Sequence, residues 1–165
     1  MSDNYVFELM SRDPGLLRES ACGALFVADA LTATRLALRE RVPLPGDRRA
    51  EDVALVRAES YHRGMALELA AKAVVAEKTE RDPPHHHRTE DLCRDAGIEL
   101  SEDELELVRR LTEAVRWWGR YGAPKKAADF ERAAQEGLKR IAPGDRQMLD
   151  GLLTRLGCGE LSPYG

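Results

Sequence analysis

The stretch Tyr61-His62-Arg63-Gly64-Met65-Ala66-Leu67-Glu68-Leu69-Ala70-Ala71-Lys72-Ala73, with its continuation to Pro124, decides the fold. Met65, Leu69 and Ala73 fall on one helical stripe and Leu67 and Val74 on another, so both sides of this helix meet apolar neighbours. Its many alanines suit close helix packing. Arg81-Asp82-Pro83-Pro84-His85-His86-His87 then breaks the helix, because two successive prolines remove amide donors and fix φ. A short helical piece at residues 90–96 is stopped by Gly97. Ser101-Glu102-Asp103-Glu104 is a capping box, in which Ser101 and Glu104 satisfy each other's free backbone amides. The helix it starts carries an apolar face of Leu107, Val108, Leu111, Ala114, Val115 and Trp118, with Arg109, Glu113, Arg116 and Arg120 on the opposite side. Trp117-Trp118-Gly119-Arg120-Tyr121-Gly122-Ala123-Pro124 ends it.

Working outward, Asp13-Pro14 reads as an N-cap followed by proline at the first helical position. The helix it opens places Leu17, Ala21, Ala24, Leu25, Ala28 and Leu31 on one face and stops at Pro43 and Pro45-Gly46. The helix of the deciding stretch begins near residue 50 and runs to about 80. Beyond Pro124, a helix over residues 127–141 passes through Phe130, Ala134 and Leu138. Pro143-Gly144 turns the chain into a last helix, buried through Met148, Leu149, Leu152, Leu153 and Leu156 and capped by Gly157. No segment alternates with period two for long. The expectation is an all-α protein, an antiparallel helical bundle of about five to six helices in a single domain spanning 1–165.

Composition bounds the function. With 33% charged and 43% hydrophobic residues the chain reads as a soluble globular protein. At 165 residues roughly two thirds of the unfolded surface is available for burial. No apolar run approaches the length of a membrane span on this reading, so no membrane partner is expected. The opening Met1-Ser2-Asp3-Asn4-Tyr5 has neither a basic start nor an apolar stretch, which argues for the cytoplasm. Cys22, Cys93 and Cys158 are odd in number and far apart, which speaks against a disulfide framework or a cysteine zinc site. A net charge of −4 gives no global attraction to nucleic acid; a polyanion site has to be a local basic patch.

The helical order from Tyr61 to Pro124, the Glu68/Lys72 helix, the Asp91-Leu92 turn and the Trp-rich ending with Arg120-Tyr121 together resemble the HEPN family. That resemblance implies a small helical bundle, usually dimeric, of the kind found in bacterial toxin and phage-defence proteins, in partners of nucleotidyltransferases and in some RNA-processing nucleases. It places the HEPN-like core at about 50–142, with an extra N-terminal helix at 13–42 and a C-terminal helix at 145–157. Two local features depart from the family pattern. Many relatives carry a histidine just before the Asp-Leu pair; here Glu90 stands there, with His85, His86 and His87 upstream. Their Arg-Tyr-Pro ending reads Arg120-Tyr121-Gly122-Ala123-Pro124. The nuclease branch also has an arginine followed four to six residues later by histidine near the start of a late helix. His87 is the last histidine of this chain, so that position is empty.

Metal-independent RNA cleavage needs a base of near-neutral pKa for the ribose 2′-OH and a cation for the phosphorane. Arg57 and His62 have the spacing, although on an earlier helix; the competing reading is a solvated arginine beside a histidine at the bundle edge. Arg81 with His85, His86 and His87 has similar spacing on a proline-broken loop that holds catalytic geometry poorly. Consecutive histidine side chains diverge, so no metal site is expected there, and no cofactor. Glu68 and Lys72 form an i, i+4 pair, either a simple helix-stabilising ion pair or, as the resemblance permits, organisers of a polar pocket beside Arg120. Arg116, Trp117, Arg120, Tyr121, Lys125 and Lys126 combine aromatic faces with cations, a composition that stacks bases and contacts phosphates. Trp118 reads as core and Trp117 as interface packing.

The leading expectation is a HEPN-like homodimer acting by binding, to a protein partner from the same operon, a nucleotide or RNA, within a bacterial defence or toxin–antitoxin-like system and without the standard RNase motif. The alternatives are an active HEPN ribonuclease using Arg57 and His62 across a dimer, and a purely structural helical subunit.

Overall fold

The structure, a computed structural model, describes residues 12–41, 48–79, 82–118 and 141–158, with side chains at 12–40, 51–79, 82–116 and 141–158. Among these residues there are helices and no strand, as the periodicity requires. The expected helix at 127–141 lies outside the described residues except for Ile141, which is buried.

Helix α1, Pro14–Arg41, starts where Asp13 predicts: its Oδ1 accepts from the amides of Gly15 at 2.8 Å and Leu16 at 3.2 Å. Helix α2, Arg48–Thr79, returns antiparallel. Ion pairs read out the register along the hairpin: Arg18 meets Glu77 at 2.5 Å, Arg35 meets Glu59 at 3.3 Å and Arg39 meets Asp52 at 2.6 Å. The Arg18 hydrogen bond holds the Glu77 carboxyl below the usual carboxylate range. Between these pairs α1 packs through small side chains, with Ala21 and Ala28 fully buried, so the two backbones approach closely. Its large apolar residues Phe26, Val27, Leu36 and Leu38 are exposed instead.

This exposure corrects one expectation. Pro14–Glu40 contains an 18-residue window of mean hydropathy 1.4 with at most two charged residues, long and apolar enough by length and composition to cross a membrane. Two of its polar residues, Thr32 and Arg35, are buried against α2 and α5.

Helix α3, Thr89–Asp95, is a short piece that buries Leu92 and Cys93 and ends at Gly97, where φ is +74° and the Gly97 and Ile98 amides close back onto Arg94 and Cys93. Helix α4, Glu102–Glu113, begins at the predicted capping box: the Ser101 amide donates to Glu104 at 2.8 Å and the Glu104 amide to Ser101 at 3.3 Å. It does not continue as a plain α-helix to Trp118. Residues Ala114–Trp118 form a π-helical turn, a feature often found at functional positions. Helix α5, Pro143–Arg155, ends at Gly157 with φ of +77°.

Helix α2 is the axis of the bundle, and the other helices pack around it. Leu67, Ala70, Ala71 and Val75 of α2 meet Leu92 of α3, Leu107, Val108 and Leu111 of α4, and Leu149, Leu152, Leu153 and Leu156 of α5 in one core. Each fully buried leucine contributes about 1.5–3 kcal/mol of transfer free energy. Gly64 sets how close α2 and α4 come. A Cβ there would stand 2.7 Å from the Leu111 carbonyl oxygen and 2.7 Å from a Val115 methyl.

Candidate functional site

The buried face of α2 carries a carboxylate where an apolar side chain is the cheaper choice. Glu68 is 1% exposed. Lys72, one turn on, reaches its Oε1 at 2.7 Å, the pairing their spacing predicts. A second partner comes from the proline-broken loop: His87 Nδ1 lies 3.0 Å from both Glu68 oxygens. A buried carboxylate is tolerated only when its lone pairs are filled, and here lysine and histidine fill them.

The three histidines diverge as expected of adjacent residues. His85 is exposed, His86 accepts from the Arg88 amide at 3.2 Å and His87 turns inward to Glu68. Among the described residues no three His, Cys, Asp or Glu side chains gather in a way that could hold a metal ion. Neither Glu68 nor Lys72 pointed to His87 in the sequence.

Immediately after His87 the chain forms one wall of a cavity of about 480 Å³, residues 88–91 at the start of α3 facing Arg109, Thr112 and Glu113 of α4. Its charges are largely paired: Arg109 with Glu90 at 3.3 Å and Arg88 with Asp91 at 3.0 Å. Thr89 is the exception. It is 1% exposed, lines the cavity, and its hydroxyl has no hydrogen-bond partner. An unfilled buried hydroxyl costs about 1–3 kcal/mol, and a ligand that offers it a partner recovers that cost.

Glu113, expected on the solvent side of α4 with Arg109 and Arg116, is buried at 8% exposure and also lines the cavity. Arg116, itself exposed, lies 3.3 Å from it and balances its charge, which lets the carboxylate stay below the surface. Trp117 and Trp118 sit in the π-helical turn. Their side chains, together with Arg120, Tyr121, Lys125 and Lys126, lie outside the described residues, as does the expected placement of Glu68 and Lys72 beside Arg120.

Arg57 and His62 are both half-buried on α2. Five residues apart on a continuous α-helix, their side chains leave the axis about 140° from one another. His62 packs edge-on against Tyr61, ring centroids 5.1 Å apart, and burial lowers its pKa. It is therefore neutral at neutral pH, the form a general base requires.

The HEPN domain model matches residues 54–142. The match opens inside α2 and takes in α3, α4 and the π-helical turn, stopping just before α5. No curated protein and no solved structure matches the chain. A match over more than half of the 165 residues, on a chain whose described elements are all helical, means that this protein belongs to the HEPN family.

Proposed function

We propose that the protein is a binding component of a bacterial defence or toxin–antitoxin-like system, working as a homodimer, and that the cavity between α3 and α4 is its ligand site. The observation that carries this reading is Thr89, which lines a cavity of about 480 Å³ and whose buried hydroxyl, just beneath that lining, has no hydrogen-bond partner. That volume falls in the usual range for a small-molecule site. The rim mixes carboxylates, guanidiniums and hydroxyls, which suits a ligand with donors and acceptors on one edge, as a nucleobase has. Glu68, held by Lys72 and His87, fixes the loop that leads into the cavity wall.

The test is calorimetric titration with adenosine, guanosine and uridine, nucleosides that carry no phosphate. Binding of at least one is expected, weakened about tenfold in Thr89→Val, which keeps the shape and removes the hydroxyl. No binding, or binding indifferent to that change, overturns the reading.

One observation favours a second reading, an active ribonuclease. His62 is neutral at neutral pH, the form in which a general base starts, and the burial that lowers its pKa makes it a weak base that returns its proton readily. Because Arg57 diverges from it along α2, the pair has to be completed across a dimer. Total RNA incubated with the protein in chelator separates the two readings: cleavage lost in both Arg57→Ala and His62→Ala favours the nuclease, and intact RNA favours binding alone.

A further inference from the structure

A second buried carboxylate, Glu59, lies two and a half turns before Glu68 on α2 and has a different set of partners. Arg35 of α1 reaches it at 3.3 Å, Arg63 of α2 at 3.3 Å, and Arg146 from the first turn of α5 at 2.9 Å. Thr32 joins the node, accepting from Arg146 at 3.3 Å and from Arg63 at 3.5 Å. Guanidinium groups stay charged in proteins, so three positive charges meet one buried negative one. Among the described residues one other carboxylate pairs with the node: Asp29 lies 2.7 Å from Arg63 but has a side chain 69% exposed, where water screens it. Among the described residues, and with Asp29 counted, three arginines meet two carboxylates, which leaves one positive charge in surplus.

The hydrogen bonding is incomplete in the same direction. Arg35 is 7% exposed, yet its side chain makes only the 3.3 Å contact to Glu59 among the described residues, and its Nε–H is buried with no acceptor. The Nε–H of Arg146 is buried without an acceptor as well. Orphaned donors and surplus cation coincide on two of the three arginines. Buried charge of this kind destabilises the fold unless it is compensated, and a bound anion compensates it.

We propose that this node binds the phosphate group of an anionic ligand. A tetrahedral oxyanion supplies the negative charge and the acceptors that the node lacks, in the geometry guanidinium groups favour. Arg146, with a side chain 33% exposed, is its outermost member, while Arg35 and Arg63 are nearly closed off. The side of the node that meets water is the one at Arg146 and Asp29, so the ligand proposed is a small terminal group, free phosphate or a terminal phosphate monoester, rather than a continuous phosphodiester backbone. It is built from α1, α2 and α5, separate from the cavity between α3 and α4 and independent of what that cavity binds.

The experiment measures thermal unfolding with increasing inorganic phosphate against chloride at matched ionic strength. A phosphate-specific rise in Tm is expected. Arg146→Gln should weaken the apparent phosphate affinity about tenfold or more, whereas Asp29→Asn, which removes the exposed competing carboxylate from Arg63 and leaves Glu59 and the three arginines in place, should tighten it several-fold. Thr89→Val should leave the phosphate response intact. Each variant is compared with itself with and without phosphate, so a lower starting stability does not obscure the result. A response equal to that of chloride, or one untouched by Arg146→Gln, overturns the proposal; so does loss of the response in Thr89→Val, which would place phosphate in the cavity instead. If inorganic phosphate acts, an RNA oligonucleotide with a 5′-phosphate against its unphosphorylated form distinguishes a terminal monoester from the free ion.

Discussion

Glu59 and Glu68 stand on the same helix, both nearly inaccessible, and they are neutralised in opposite ways. Glu68 has one lysine in the next turn and one histidine from a loop, and both partners retain some access to water: the Lys72 side chain is 14% exposed and that of His87 30%. Glu59 has three arginines from three helices, two of them nearly sealed. The Glu68 arrangement closes on itself and fixes a loop. The node at Glu59 joins α1 and α5 to α2 and is left with more cation than it needs. A carboxylate under a helical bundle can therefore hold a local turn or gather distant helices, and the number of sealed cations around it decides which.

Breaking each carboxylate tests that difference. Glu59→Gln leaves Arg35 as a buried cation without a carboxylate and Arg63 with only the exposed Asp29, so the largest loss is expected there, about 3–5 kcal/mol in chemical denaturation. Glu68→Gln should cost less, about 1.5–3 kcal/mol, because Lys72 and His87 can turn outward. Its signature is local: amide exchange should accelerate in the loop at 82–88 and in α3 before it changes in α1. Equal losses, or a global effect from Glu68→Gln, would remove the distinction between the two sites.

A third and smaller effect asks how much of α3 is held by apolar burial instead of charge. Burial pushes the Cys93 thiol up to about 11 from an ordinary 9.0. The folded state therefore keeps its proton while the unfolded chain releases it, and stability falls as pH rises from 9 toward 11. By pH 10 this contribution amounts to about 1.4 kcal/mol. A urea-unfolding series over that range should show the Cys93→Ala variant losing stability less steeply with pH than the parent; parallel curves would mean that the thiol is not sealed.

The helices were legible because their signals are local. Asp13, the Ser101/Glu104 box, Gly97 and Gly157 act within a few residues of themselves, and each stands at the helix end it was expected to mark. The i, i+4 pair Glu68–Lys72 was legible for the same reason. The site was less so. His87 was read as part of a loose histidine loop, and nothing near it in sequence says that it reaches back to Glu68. Glu113 was assigned to the solvent face by periodicity, which does not register that a cavity and Arg116 receive it. Glu59 carries no local signal of its role, since its partner Arg146 lies 87 positions away.

The sequence by itself therefore determined an all-helical chain, most helix boundaries and the family. Capping, proline placement and 3.6-residue periodicity are properties of neighbouring residues and need no partner to be read. Only the tertiary structure decided which charges are buried and with whom. A carboxylate's environment depends on side chains that the packed helices bring within about 3 Å, and their separation along the chain carries no trace of that distance.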